Sequence, residues 1–193
     1  MSEQAPEETP EDHKPKGLIE KLAHAYFSIG EVSDERRAEM LAQDNAGVRV
    51  PPPVIYLAAL LVGCAIDSPW IYGDGTALAE LVSGGGLVGA GLWFIIWGGK
   101  VQHDAETDVK PWTETKIIVE TGPYHLTRNP MYLGMTAATI GLAMMAGSAW
   151  SMATLFVCII IIDRYVIDRE EAYLEAKFGD AYLDYKTRVR RWF

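Results

Sequence analysis

The sequence contains few of the residues that build metal sites and disulfide frameworks. Cys64 and Cys158 are its two cysteines, and both lie in apolar runs without a second cysteine or a histidine at ligand spacing. The four histidines are scattered along the chain, at His13, His24, His103 and His125. We therefore predict neither disulfides nor a metal site, and we interpret both cysteines as buried small apolar residues.

The signatures of soluble nucleotide-binding and hydrolytic folds are also missing. No G-x-G-x-x-G follows a strand pattern, and G-x-x-x-x-G-K-[ST], H-E-x-x-H and G-x-S-x-G do not occur. Strand and helix patterns do not alternate, which excludes a soluble Rossmann-type methyltransferase. The formal net charge of −9 argues against nucleic-acid binding, because that function requires a basic patch.

What the sequence does contain is three long uncharged runs, at 50–66, 81–99 and 129–162. Each of the first two suits one membrane-spanning helix, which needs about 20 mostly apolar residues. The third has 34 residues and would be about 51 Å long as a single helix, whereas the hydrocarbon core is only about 30 Å thick. We therefore predict a helical hairpin that turns near 146–148 and whose second arm continues beyond Asp163, making four transmembrane helices in all.

The distribution of basic residues predicts the orientation of these helices. Residues 67–80 contain acids but no Lys or Arg, and the predicted hairpin turn has none either. All 17 Lys and Arg lie in the N-terminal region, in the loop 100–128, or after Ile162. Since basic loops stay in the cytoplasm, we predict a multi-pass all-α membrane protein with both termini cytoplasmic.

The chain outside the membrane helices divides into segments. Residues 1–15 hold five acids and three prolines, which predicts a disordered acidic tail and not a signal peptide. Residues 16–45 begin with apolar side chains at helical spacing: Leu18, Leu22, Tyr26 and Ile29. This amphipathic helix either lies on the cytoplasmic interface or docks on the cytoplasmic part of the same protein. Residues 46–193 form the membrane-embedded domain.

Two polar segments flank the predicted hairpin. In 116–132, Asn129 and Pro130 are typical of an N-cap and a first helical residue, and Arg128 and Tyr124 would lie at headgroup level. Taken alone, this pattern is equally typical of an ordinary membrane-interface boundary.

The second polar segment, 163–193, predicts a helix that leaves the membrane with Asp163, Ile167, Glu170 and Leu174 near one face. Phe178-Gly179 is typical of its end, and Asp180 of the N-cap of a short final helix. A hairpin brings its two ends together, so Asn129 and Glu170 should be neighbours. Carboxylates and aromatic side chains would then converge beside the bilayer, which favours a site for a cationic or zwitterionic cofactor serving a lipophilic substrate.

The motif GPY…RNPMY, followed by EE…L…FG…Y..Y..RV, resembles the integral-membrane methyltransferases of the isoprenylcysteine carboxyl methyltransferase type and their relatives, the phospholipid methyltransferases. The resemblance covers residues 105–190, which places the catalytic part in the C-terminal half, 105–193. It implies S-adenosylmethionine as the cofactor, bound at the cytoplasmic face, and a lipid-accessible tunnel for the substrate.

Carried over residue by residue, the resemblance implies a cofactor-binding set of Lys116, Ile117, Ile118, Val119, Tyr124, Asn129, Pro130, Met131, Tyr132, Glu170 and Glu171. Glu170 would bind the cofactor and steer the acceptor proton, and Arg128 would hold a carboxylate or phosphate. Asn129 stands where the family usually has His, which is a mild change because both can donate a hydrogen bond. Val166 stands where prenylcysteine enzymes have an Arg, which argues against a prenylcysteine carboxylate as the acceptor.

We therefore expect methyl transfer to an O, N or S nucleophile of a lipophilic or small acceptor, with no nucleic-acid partner. Two other functions remain compatible with the sequence. One is a non-catalytic accessory subunit of a membrane complex. The other is a sterol-reductase-like NADPH enzyme, which would be expected to have more basic residues and more spans.

Overall fold

The computed structural model describes residues 17–29, 32–67, 78–107 and 110–192, and the predicted acidic tail lies outside them. These residues contain helices and no strand, so the all-α prediction is confirmed for them. The helices are α1 (Leu18–Ile29), α2 (Asp34–Gln43), α3 (Pro52–Ile66), α4 (Leu78–Asp104), α5 (Pro130–Met145), α6 (Ala149–Ile161), α7 (Asp168–Phe178) and α8 (Asp180–Arg188). A 3₁₀ turn, Gly122–His125, precedes α5, and a π-helical segment, Ile162–Ile167, joins α6 to α7.

Two helices in the described residues are long and apolar enough to cross a membrane. They are α4 and the continuous helix Ala149–Phe178 that contains α6, the π-helical segment and α7. Helices α3 and α5 are apolar but shorter, with 15 and 16 residues, or about 23 Å at 1.5 Å per residue. Four crossings with cytoplasmic termini therefore stay a prediction.

The predicted hairpin is confirmed, and its turn lies where the uncharged run was expected to fold back. Helix α5 ends at Met145 and α6 begins at Ala149. Gly147 adopts a φ of 61°, which glycine does without steric cost. The Ser148 hydroxyl accepts a hydrogen bond from the Ser151 N–H at 3.0 Å and caps α6.

Helices α4 and α5 pack backbone to backbone through glycines. A Cβ on Gly91 would lie 2.4 Å from the Gly134 carbonyl oxygen, and a Cβ on Gly141 would lie 2.4 Å from the Gly84 carbonyl oxygen. Such close approach is characteristic of small-residue interfaces between membrane helices. It brings the start of α5 beside the end of α4, where the polar residues gather.

The chain continues from α6 into α7, but the side chains of α7 do not share a face with those before them in the way that the sequence pattern predicted. A π-helical turn contains one more residue than an α-helical turn and rotates the side chains that follow. Asp163 therefore accepts hydrogen bonds from Trp192 Nε1 at 3.0 Å and the Tyr26 hydroxyl at 2.9 Å, whereas Glu170 faces a separate cavity. Grouping Asp163 with Glu170 on one face was wrong for this reason.

The N-terminal helices attach to the end of the hairpin at which α6 continues into α7. The Tyr26 ring of α1 lies 3.7 Å from the guanidinium carbon of Arg164, while Leu18 and Leu22 of the same helix are exposed. Helix α2 packs against α7, and Asp44, which ends α2, pairs with Lys177 at 2.5 Å. Helix α1 thus shows features of both sequence-based alternatives, with a docked end and an exposed apolar face.

Candidate active site

One cavity lies where α4, α5, α7 and α8 meet, below the start of the hairpin. It is partly open, and the space of about 870 Å³ that it spans includes solvent at its mouth. Polar groups, aromatic rings and backbone of the connecting segments surround it. Its walls are formed by Ala46, Gln102, Thr107, Lys110, Pro111, Thr113, Thr115, Ile117, Ile118, Val119, Tyr124, Arg128, Asn129, Pro130, Met131, Tyr132, Glu170, Glu171, Tyr173, Leu174, Tyr182 and Tyr185.

Glu170 is a carboxylate in this wall without a basic partner. The Tyr132 hydroxyl donates a hydrogen bond to its Oε1 at 2.6 Å, and among the described residues Glu170 forms no ion pair. The six charged residues of α7 place this helix outside the apolar, membrane-spanning part of the chain. Burial raises the pKa of Glu170 to about 7, the nearby charge of Glu171 adds to the rise, and the hydrogen bond from Tyr132 opposes it.

Glu171, the next residue, is surrounded by positive charge. Its carboxylate lies 2.7 Å from Arg128 Nη2, 2.8 Å from Arg191 Nη2 and 3.4 Å from Lys186 Nζ. Burial would raise the pKa of Glu171, but the hydrogen bonds and charges of Arg191 and Arg128 hold it below its usual value. This carboxylate is therefore ionised and neutralised within the protein.

Arg128 is bonded on both terminal nitrogens by protein groups. Besides Glu171, it donates through Nη1 to the carbonyl oxygens of Val189 at 2.7 Å and Lys186 at 3.3 Å. Its backbone N–H donates to the Arg190 carbonyl at 3.0 Å. Arg128 thus joins the start of the hairpin to the C-terminal residues.

Asn129 and Pro130 begin α5 as the sequence predicted, but the side chain of Asn129 has a different partner. No cap hydrogen bond forms from it to the helix backbone. Its amide donates instead to the carbonyl oxygen of Arg191 at 3.1 Å, an oxygen that also accepts from the Thr127 hydroxyl at 2.8 Å. Asn129 therefore helps to fix the C-terminal segment against the cavity.

Tyrosines supply much of the remaining wall. The Tyr185 hydroxyl donates to the Tyr124 carbonyl oxygen at 2.8 Å, which fixes α8 against the 3₁₀ turn. The Tyr124 hydroxyl and the Gln102 side-chain oxygen are buried, and neither has a well-formed hydrogen bond to any described residue. Burial, followed by the charge of Glu170, raises the pKa of Tyr124, so its hydroxyl stays protonated and can donate to a ligand.

The cavity brings together the residues that the resemblance implied, with one exception. Lys116 is exposed and does not line it; the contribution of this residue is a backbone N–H that donates to Thr107 Oγ1 at 3.1 Å. Sequence reasoning had not assigned Gln102, Tyr173, Tyr182 or Tyr185 to the site. The spacing of Tyr182 and Tyr185, three residues apart on one helix, was a signal that could have been used.

Comparisons with known proteins identify the family of this chain. No solved structure matches the chain. A Haemophilus influenzae protein described as an uncharacterized protein is 39% identical over 62 residues, which are 32% of this chain and 98% of that protein. Residues 79–181 match the family described as phospholipid methyltransferase, from α4 through the hairpin and α7. Since the match covers more than half of the 193 residues, the chain belongs to the phospholipid methyltransferase family of membrane methyltransferases.

Proposed function

We propose that this protein is an S-adenosylmethionine-dependent methyltransferase that acts on the O, N or S nucleophile of a lipophilic or small acceptor. One observation carries the proposal. Glu170 is a partly buried carboxylate on a cavity wall, hydrogen-bonded by Tyr132 and without a basic partner among the described residues. A ligand that brings its own positive charge would compensate it.

The cavity fits such a cofactor in two respects. The rings of Tyr124, Tyr132, Tyr182 and Tyr185 line it, and aromatic faces attract cations. The buried Tyr124 hydroxyl and Gln102 oxygen offer a donor and an acceptor to the polar atoms of a ligand. When bound, S-adenosylmethionine supplies a methyl group on a positively charged sulfur.

Glu170 has two roles in this proposal. Its carboxylate holds the cationic part of the cofactor, and its Oε atoms receive the proton that an O–H, N–H or S–H acceptor loses. A group with a pKa of about 7 is well suited to that second role, because it is near the operating pH. Tyr132 orients the carboxylate, and the tyrosine walls exclude water and hold the reactants in register.

Arg128 is better described as a positioning residue than as a ligand for a substrate anion. Both of its terminal nitrogens bond protein groups, and its buried Nε, which has no hydrogen-bond partner among the described residues, is the donor left for a carboxylate or phosphate. We propose that Arg128 fixes Glu171 and the C-terminal segment, and thereby the wall that contains Glu170.

The acceptor is proposed to enter from the membrane. Helices α3, α4, α5 and α6 expose apolar side chains, and the cavity opens at the cytoplasmic end of α5 if basic residues face the cytoplasm. This supports a multi-pass membrane protein whose termini and active site are cytoplasmic, and a membrane lipid or another lipophilic molecule as the acceptor.

The test is binding of S-adenosylmethionine to the detergent-purified full chain, with NADPH as the control ligand. We expect saturable binding of S-adenosylmethionine by the wild type and by Glu35→Gln, which alters an exposed acid of α2 outside the cavity. Glu170→Gln should bind about 100-fold more weakly, as expected for a lost charge-assisted contact in a buried site. Binding of NADPH alone would favour the reductase, and folded protein that binds neither would favour an accessory subunit.

A further inference from the structure

Most basic side chains near the active site are neutralised by acids. Ion pairs below 4 Å are formed by Arg128, Arg164, Lys177, Lys186, Arg188 and Arg191. Four arginines differ from them. Within the residues that the structure describes, Arg36, Arg37, Arg49 and Arg169 form no ion pair with an acid, although the chain has an excess of acids over bases.

Arg36, Arg49 and Arg169 come from separate elements, and α2, which carries Arg36, packs against α7, which carries Arg169. Arg36 is in the first turn of α2, Arg49 precedes α3, and Arg169 is on α7. Arg36 and Arg49 line a cavity of about 670 Å³. The guanidinium of Arg169 lies 4.3 Å from the centroid of the Tyr165 ring.

The remaining polar groups of that cavity do not neutralise the two arginines. It is also lined by Glu39, Gln43, Asn45 and Trp112, and Oε1 of Glu39 accepts a hydrogen bond from the Gln43 amide at 3.1 Å. The Asn45 side chain is used locally, since its oxygen accepts from the Gly47 N–H at 2.8 Å. The cavity therefore contains two guanidinium groups, those of Arg36 and Arg49, and one carboxylate, that of Glu39, which accepts its hydrogen bond from Gln43.

The positive charges of Arg36 and Arg49 act on the guanidinium group of Arg169. Burial lowers the pKa of Arg169, and the positive charges of Arg36 and Arg49 lower it further. Mutual repulsion of this kind is unfavourable unless an anion is shared. Helix α2 is held on α7 by Asp44, which accepts from the Tyr173 hydroxyl at 2.7 Å and pairs with Lys177, so the backbones that carry these arginines stay adjacent.

The position of the cluster along the chain indicates the source of the anion. Arg49 is followed at once by Val50 and by the apolar helix α3, where Val50, Val54 and Leu57 are exposed. Side chains at this level meet the headgroup region when α3 enters a bilayer. A phosphate there would lie within reach of guanidinium forks, which match phosphate oxygens in a bidentate geometry.

We propose that Arg36, Arg49 and Arg169 form a binding site for the phosphate group of an anionic membrane lipid. The site is separate from the cavity of Glu170, and its existence does not depend on methyl transfer. Because α2 is followed by Ala46, which lines that cavity, a bound lipid would also hold the N-terminal wall of the active site in place.

The test compares single-charge variants of the detergent-purified full chain, with dihexanoyl phosphatidic acid as the probe. We expect saturable binding by the wild type, an affinity about tenfold lower in Arg49→Gln and in Arg169→Gln, and a smaller loss in Arg49→Lys, which keeps the charge but not the fork. The matched control is Arg188→Gln, since Arg188 is paired with Glu120 and Asp184 on α8; its affinity should equal that of the wild type.

Three outcomes would overturn the proposal. Equal losses in Arg188→Gln and Arg49→Gln would show that only net charge matters. Binding of dihexanoyl phosphatidylcholine as tight as that of the phosphatidic acid would remove the anionic selectivity. Binding of inorganic phosphate as tight as that of the lipid would assign the arginines to a free anion. Arg49 is exposed, so its variants should fold, and thermal unfolding without lipid checks this for them and for Arg169→Gln.

Discussion

The two acidic residues at the start of α7 stand side by side in very different surroundings. The side of α7 that carries Glu171 faces a network of Arg128, Arg191 and Lys186. Both acids line the cavity, but Glu170 accepts a hydrogen bond from Tyr132 and has no basic partner among the described residues. One region is thus complete without a ligand, and the other is not.

The difference indicates that Glu171 has a structural role and that Glu170 has a functional one. A buried charge is tolerated when it is paired and hydrogen-bonded, and otherwise its pKa shifts toward the neutral form. The pKa of Glu171 is lowered and that of Glu170 is raised, although both side chains belong to one helical turn. Perturbation of that kind in a cavity is a recognised sign of a functional group.

The largest effect is expected from breaking the paired region. Glu171→Gln removes the charge that Arg128 and Arg191 share, and it leaves two partly buried guanidinium groups without compensation. Loss of one partner of a buried ion pair costs about 3–5 kcal/mol in the free energy of unfolding. Thermal unfolding in detergent should show a clear drop in Tm. An unchanged Tm would mean that the network contributes nothing to the fold.

Glu170→Gln should have the opposite signature. We expect the Tm at pH 8 to equal or exceed that of the wild type, because the substitution removes a buried charge without a partner. S-adenosylmethionine affinity should fall about 100-fold, which corresponds to about 2.7 kcal/mol. Isothermal titration and thermal unfolding of the same samples measure both quantities. If Glu170→Gln lowers the Tm and leaves the affinity for S-adenosylmethionine unchanged, Glu170 is a structural residue and the assignment is wrong.

The helices and turns that position the two acids could be predicted from the sequence wherever local signals determine structure. The length of the uncharged run required a hairpin, and Gly147 with Ser148 marked its turn. Phe178 ends α7 as expected, and Gly179 adopts a φ of 54° that favours glycine. Helix α8 begins at Asp180, but its N-cap residue is Gly179 and Asp180 does not cap it. The motif resemblance brought Tyr132 and Glu170 into one site.

Features that depend on distant contacts could not be predicted in this way. The π-helical segment 162–167 has no local marker, and it separates Asp163 from the face of Glu170. The partners of Arg128 lie about sixty residues further along the chain, where neither periodicity nor capping signals report a contact. The same is true of Asp44 and Tyr173, which join α2 to α7.

The pH dependence of cofactor binding sharpens the comparison. With a pKa of about 7, Glu170 is mostly protonated at pH 6 and mostly ionised at pH 8. A cationic ligand prefers the ionised form, so affinity should fall about tenfold from pH 8 to pH 6. Titrations at several pH values measure this fall. Glu170→Gln should show no such dependence, and a wild-type profile as flat as that of the variant would contradict the assignment.

The smallest effect is expected from Tyr132→Phe, which removes the hydroxyl that donates to Glu170. This hydrogen bond favours the carboxylate and opposes the rise of the Glu170 pKa, so its loss should move the midpoint of the binding profile above pH 7. Affinity at pH 8 should fall severalfold, in line with about 1 kcal/mol for a typical hydrogen bond.

The direction of this pH shift distinguishes an electrostatic role of Tyr132 from a purely steric one. A ring that only fills space would lower affinity equally at all pH values, since phenylalanine preserves nearly the same shape. Tyr185→Phe is the matched control, because the Tyr185 hydroxyl donates to the Tyr124 carbonyl oxygen and not to a carboxylate. That variant should leave the midpoint unchanged. If both variants shift it alike, the hydrogen bond from Tyr132 is not what holds Glu170 near neutrality.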